Sequence, residues 1–266
     1  MTSPAVPESM FFETSDGVKI AYRRWGDRGG PVTVLHHGLT SDSLAEWKTP
    51  LVLGVLIDAG HHVLTLDARG HGASDTPHEI SSYGLSRMVA DLVELLDEVA
   101  ADVEIRLVGY SLGAVVVLHA CAELGQRVSR LVLGGVGSGI VEMDGLDTRV
   151  LNLAGLAEAF SADDASEIDD PELAAWRTQA YSAGADLKAI SAVAAALRPE
   201  PAPLAEITVP TLVIAGLDDV LAQRPEVLSS ALRRAELVLV GGSHSGARFD
   251  PDFAEAIRHF LTRSAE

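Results

Sequence analysis

One cysteine in 266 residues, Cys121, rules out an internal disulfide. It lies within an apolar run, where a thiol is expected to be a buried core residue rather than a reactive one. Basic residues are scarce as well: 20 Lys and Arg stand against 38 Asp and Glu, a formal net charge of −18. That excess repels phosphate backbones and anionic bilayers, so neither nucleic acid nor a membrane is expected as a partner. Long hydrophobic runs are missing too. The longest, residues 51–57 and 112–122, fall well short of the ~18 residues of a membrane span. Residues 1–9 have neither a basic start nor an apolar stretch, so they read as a short disordered lead-in rather than a signal peptide. The expectation is a soluble, cytoplasmic protein. Internal repeats and low-complexity segments are also lacking, beyond a bias toward alanine.

What is present is core-forming material. With 47% hydrophobic residues and only 12 prolines, the chain can build one sizeable core, or a core plus an inserted subdomain. Strand character over 10–14 and 18–25 flanks Asp16-Gly17, a strong hairpin-turn dipeptide, so the chain is expected to open with an antiparallel pair. After a turn cluster at 27–31, residues 32–36 form a buried type of strand that runs into His37-Gly38-Leu39. Apolar residues at helical spacing predict one helix over 44–59, stopped by Gly60. A strand over 62–66 then leads into the loop from Asp67 to Asp75. Leu85, Val89, Leu92, Val93, Leu96 and Val99 mark one face of an amphipathic helix. A strand from 104, an apolar helix over 112–122 and a strand over 128–133 follow. This alternation argues for a parallel sheet with helices on both faces.

From 140 to about 207 no segment reads as a strand. Pieces rich in alanine and leucine around 150–160, 171–182 and 185–197 read as short helices, an inserted helical cap. Between Ser138 and Glu206 thirteen acidic residues face four basic ones, which places half of the net negative charge there. The aromatics of this segment are Phe160, Trp176 and Tyr181, so a mostly aliphatic roof is expected. Strand and helix then alternate again: strand 211–215, helix 225–233, strand 236–240, helix 253–261. The predicted organisation is a first core part over 1–137, a helical cap over 138–207 and a second core part over 208–266.

The chemistry centres on Gly109-Tyr110-Ser111-Leu112-Gly113. Gly-x-Ser-x-Gly between a buried strand and a helix is a nucleophile elbow, a turn so sharp that glycine must flank the serine. A serine hydroxyl needs a general base, and that base needs a carboxylate to hold its tautomer. In open α/β sheets such groups gather at the carboxyl ends of strands. His244 follows the last strand, and Asp219 stands three residues after Gly216; Asp218 is the competing acid, with Glu142 and Asp144 as weaker rivals. The backbone N–H groups of Leu112 and of Leu39 suit an oxyanion hole. His37, Gly38, Gly109 and Gly113 are expected to support it. His36 and His71 read as supporting residues of their loops, as do Arg69 and Asp75. No two histidines share a helical face beside a carboxylate in the manner of a zinc motif, so no metal is expected.

The chain outside the cap resembles the α/β-hydrolase superfamily. The residues that carry the resemblance are His37-Gly38, Asp67 to Ser74, the Gly109 to Gly113 elbow, Gly216-Leu217-Asp218-Asp219 and Gly242-Ser243-His244. The resemblance implies a mostly parallel sheet of about eight strands with an antiparallel start, helices on both faces and a cap. Epoxide hydrolases and haloalkane dehalogenases of this superfamily carry aspartate at the elbow, so Ser111 aligns the chain with the serine members. Those include esterases, thioesterases, carbon–carbon bond hydrolases and cofactor-free perhydrolases. The expected activity is that of a carboxylesterase-like serine hydrolase acting on a small, largely apolar substrate without a cofactor, as a monomer or homodimer. A carbon–carbon bond hydrolase ranks second, because it needs basic or polar groups near the nucleophile to bind a substrate carboxylate and no such cluster stands out. A thioesterase or acyltransferase of a biosynthetic pathway and a non-catalytic ligand receptor follow.

Overall fold

Among the described residues the chain forms eight strands, the last six of them short runs rich in Val, Leu and Ile: β1 (Met10–Glu13), β2 (Lys19–Trp25), β3 (Val32–His36), β4 (His62–Leu66), β5 (Ile105–Tyr110), β6 (Val128–Gly134), β7 (Thr211–Gly216) and β8 (Ala235–Val240). The computed structural model describes residues 4–49 and 51–263. Of the N-terminal lead-in, residues 1–3 lie outside the described residues, and 4–9 carry no regular secondary structure. The strands make one sheet in the order β1-β2-β4-β3-β5-β6-β7-β8. β1 and β2 pair antiparallel across the Asp16-Gly17 turn, β2 pairs antiparallel with β4, and the pairs from β4 through β8 are parallel.

The two-residue period of the strands divides the core. Val32, Val34, Ile105, Leu107, Leu131, Leu133 and Val213 point to one face of the sheet. Leu35, Val108, Val132, Leu212 and Ile214 point to the other. Both faces therefore need cover, and helices supply it. α1 (Ser43–Trp47), α2 (Val52–Asp58) and α10 (Pro251–Thr262) cover the second face. α3 (Leu85–Val99) and α4 (Leu112–Leu124) cover the first. α4 is apolar all round because it lies between α3 and the sheet, which is why its sequence shows no amphipathic stripe.

The single helix expected over 44–59 is two. Leu51 adopts φ 68°, a left-handed conformation that no continuous α-helix contains, so the chain turns between α1 and α2. Proline at position 50, which cannot donate a helical N–H, is the sequence signal that apolar spacing obscured.

Between β6 and β7 the chain forms α5 (Gly139–Glu142), α6 (Leu153–Ser161), α7 (Pro171–Ser182) and α8 (Leu187–Ala196), and no strand. Side-chain caps at Asn152, Asp170 and Asp186 start the last three, each accepting a backbone N–H of the first turn. α6 and α8 pack together through Leu156, Phe160, Ile190 and Val193. α9 (Pro225–Ala231) precedes β8. Among the described residues no helix is long and apolar enough to cross a membrane.

Candidate active site

Ser111 sits between the end of β5 and the start of α4 with φ 54° and ψ −120°. A serine held there is strained by about 1–3 kcal/mol, which the surrounding packing must offset. The packing is close. A Cβ added to Gly109 would lie 2.3 Å from the carbonyl oxygen of Gly113, and one added to Gly113 would lie 2.3 Å from that of His36. Only glycine at both places lets α4 leave β5 so abruptly. The Ser111 N–H donates to Gly134 O at 2.8 Å, which ties the turn to β6.

The loops after β7 and β8 bring two more side chains to this point. His244 Nε2 lies 3.0 Å from Ser111 Oγ. Its Nδ1 lies 3.0 and 2.9 Å from the two carboxylate oxygens of Asp219. Nδ1 therefore carries the ring proton and donates it to Asp219, leaving Nε2 to accept from the serine hydroxyl. Asp219 is buried, and its Oδ1 also accepts the N–H groups of Leu221 and Ala222 at 2.9 and 3.1 Å. The adjacent Asp218 is exposed. Glu142 is engaged by Arg149 and Arg224, and among the described residues neither Glu142 nor Asp144 hydrogen-bonds to His244. Tyr110 fixes the histidine loop from below: its hydroxyl donates to His244 O at 2.5 Å, and its ring lies 5.3 Å from the imidazole.

The turn after β3 faces the elbow. A Cβ on Gly38 would be 3.2 Å from Ser111 Cβ. The N–H groups of Leu39 and Leu112 have no protein acceptor among the described residues, so both are free to meet a ligand oxygen. The loop from Asp67 to Asp75 buttresses the turn. Ala68 N–H donates to His37 Nε2 at 2.9 Å, so the His37 proton is on Nδ1, which donates to Gly38 O at 2.8 Å. His71 Nε2 bonds to Leu39 O. Burial pushes the His36 and His37 imidazoles down, to about 3 and about 4, so both are neutral at pH 7. Arg69 anchors the same loop through Asp91, Asp16 and the Ser82 carbonyl. Asp75 accepts the Lys19 N–H at 2.9 Å.

A cavity of about 310 Å³ opens above Ser111 and His244. α7 lines it with Glu172, Ala175, Trp176 and Gln179, one stripe at helical spacing. Leu146, Leu151 and Leu221 add aliphatic surface. Of the three aromatics between β6 and β7, Trp176 alone lines the cavity; Phe160 is buried in the core and Tyr181 is exposed. Among the lining residues that escaped the sequence reading, two oppositely charged ones are bonded to each other. Glu46 of α1 is buried beside Gly38 and accepts its N–H at 3.3 Å, and Arg248, four residues past His244, reaches Glu46 Oε1. Arg248 is thus a single basic group near the nucleophile, already paired with a carboxylate. Position 248 on the histidine loop was a faint signal; its partner at position 46 was invisible, because the fold alone joins them. Among the described residues no group of three or more His, Cys, Asp or Glu side chains is placed to hold a metal ion.

A strained serine between a central parallel strand and a buried helix, with an imidazole and a carboxylate in line behind it, defines a class of α/β enzyme scaffold. The chain belongs to the alpha/beta hydrolase family, whose model matches residues 33–256. It is 41% identical over 115 residues to epoxide hydrolase A of Mycobacterium tuberculosis, covering 43% of this chain and 34% of that protein. It is 39% identical over 89 residues to a non-heme chloroperoxidase of Streptomyces lividans, covering 32% of this chain and 30% of that protein. The match thus spans about a third of the length of each of these curated relatives. A solved structure of a hydrolase from Pseudomonas aeruginosa superimposes with a TM-score of 0.75 at 28% identity, over 96% of this chain and 98% of that one.

Proposed function

We propose that this chain is a serine hydrolase that cleaves an ester-type bond of a small, largely apolar substrate through an acyl-enzyme on Ser111. The observation that carries the reading is the line from Ser111 Oγ through His244 to the buried carboxylate of Asp219, each step about 3 Å long. His244 Nε2 takes the proton of Ser111 as the hydroxyl attacks the carbonyl, and Asp219 stabilises the imidazolium that forms. The negative charge moves to the carbonyl oxygen, where the N–H groups of Leu39 and Leu112 receive it. His244 then returns the proton to the leaving alcohol. Water repeats the sequence on the acyl-enzyme and frees Ser111.

Aspartate at the elbow would instead hold the substrate as an alkyl ester, the epoxide-opening chemistry of the first relative's name. Ser111 directs the chain away from that reaction. The aliphatic lining with Trp176 suits an apolar acyl or alcohol part, and Arg248, the one Arg or Lys among the described residues that line the cavity, is occupied by Glu46. A substrate carboxylate would have to displace that bond, which favours ester cleavage over carbon–carbon cleavage of a carboxylate-bearing dienoic acid. No step calls for a cofactor.

The test compares wild type with Ser111→Ala on p-nitrophenyl esters of graded acyl length, together with labelling by a fluorophosphonate read by intact mass. The substitution is expected to lower kcat by several orders of magnitude and to abolish labelling, since these groups act as a unit. Activity or labelling that survives it would refute the proposal.

A further inference from the structure

The Glu46–Arg248 pair occupies a place where its charge balance affects chemistry. Glu46 belongs to α1, on the strand-β3 side of the site, and Arg248 belongs to the histidine loop. Glu46 is 1% exposed, and its two oxygens are divided: Oε2 accepts the Gly38 N–H and Oε1 receives Arg248. Gly38 is also the residue that packs on Ser111; a Cβ there would stand 3.2 Å from Ser111 Cβ and 3.7 Å from Glu46 Oε2. A buried carboxylate therefore flanks the same glycine as the nucleophile, one residue before the Leu39 N–H. Arg248 is held in turn by its Nε bond to Ser245 O at 3.3 Å and by the Tyr110 and Phe249 rings, 6.0 and 5.5 Å from its guanidinium carbon.

In a dry site an unbalanced negative charge beside the oxyanion opposes the transition state, whereas a neutral ion pair does not. Breaking such a pair from one side leaves a buried charge, and removing both sides leaves none. We propose that Glu46 and Arg248 are positioning residues for the reaction: Glu46 aims the oxyanion turn through the Gly38 N–H, and Arg248 cancels the charge this requires next to Ser111. The pair also joins the two loops that carry the oxyanion donor and the general base. The proposal rests on the serine-hydrolase reading of the site.

The experiment measures kcat and KM for a short p-nitrophenyl ester, and the Ki of a trifluoromethyl ketone, which forms a tetrahedral adduct. Arg248→Met, Glu46→Gln, the double variant and Arg248→Lys are compared with wild type. Arg248→Met is expected to lower kcat at least about tenfold with KM within about twofold, and to raise the Ki by a similar factor. Glu46→Gln, which leaves the opposite charge, costs less; the double variant recovers most of the Arg248→Met loss, and Arg248→Lys ranks between wild type and Arg248→Met. A purely structural strut would show none of this dependence on sign. A double variant as impaired as Arg248→Met, a change confined to KM, or kcat unchanged in Arg248→Met overturns the proposal. If Arg248→Met does not fold, Arg248→Gln replaces it with the same expected order. Ser111→Ala is assayed alongside. Activity surviving there overturns the reading of the site, whereas a dead Ser111→Ala beside pair variants equal to wild type overturns the role of the pair alone.

Discussion

Asp219→Asn isolates what the carboxylate does, because the geometry dictates how an amide would sit. Asp219 Oδ1 accepts from Leu221 N–H at 2.9 Å and Ala222 N–H at 3.1 Å, while Oδ2 faces His244 Nδ1 at 2.9 Å. An asparagine has one oxygen, and two backbone donors claim it. Its NH2 group must then face Nδ1, where donor would meet donor unless the ring proton moves to Nε2. An Nε2–H cannot take the proton of Ser111. The expected loss is about 10⁴-fold in kcat/KM, close to 5 kcal/mol of transition-state stabilisation. The loop keeps both backbone bonds, so stability should fall by no more than about 3 kcal/mol, the upper value of one hydrogen bond to a charged group. The assay is initial-rate hydrolysis of a p-nitrophenyl ester, with thermal unfolding as the control. Asp218→Asn, at an exposed position, should stay within about twofold of wild type. An Asp219→Asn enzyme within tenfold of wild type, or an equal fall in Asp218→Asn, would refute the reasoning.

Other expectations concern the scaffold and the cavity. Gly113→Ala places a Cβ 2.3 Å from His36 O and 2.5 Å from His37 O, so backbone must shift; a loss of about 3 kcal/mol or more in urea unfolding is expected. Arg69→Met leaves Asp91, 3% exposed, without its cation and should cost about 3–5 kcal/mol in the same measurement. His36 and His37 bind protons more weakly folded than unfolded, so the unfolded chain gains protons first as pH falls below about 6.5. The stability they contribute is therefore complete above that pH and is lost on acidification toward about 4 for His37 and about 3 for His36. His36 should remove about 2 kcal/mol between pH 7 and pH 5, and unfolding midpoints of His36→Asn should depend less steeply on pH. Trp176→Ala enlarges the cavity over Ser111 and should raise the ratio of long-chain to short-chain ester hydrolysis at least about threefold; an unchanged ratio would place Trp176 outside the acyl path.

Much of the fold was legible because the parallel strands are short, β-branched and separated by turn residues. The segment over 85–99 appeared as α3 with the expected ends, since one apolar face there meets the core and the other meets water. The segment over 44–59 misled because its apolar residues serve two helices, and periodicity counts faces without registering a left-handed residue at 51. In the site, Ser111, Asp219 and His244 could be named because each follows a strand at a recognisable turn. Glu46 and Arg248 could not.

The sequence by itself determined the alternation of strand and helix, the elbow, and which residues stand at the carboxyl ends of strands, since these depend on neighbours within a few positions. Only the tertiary structure decided that Asp219 rather than Asp218 faces His244, that of the three aromatics between β6 and β7 Trp176 alone looks into the cavity, and that Arg248 meets a carboxylate 202 residues away. Each of those outcomes turns on the direction of a side chain or on contact between distant loops. Such directions follow from how the sheet twists and the helices pack, a property of the whole chain that no local pattern encodes.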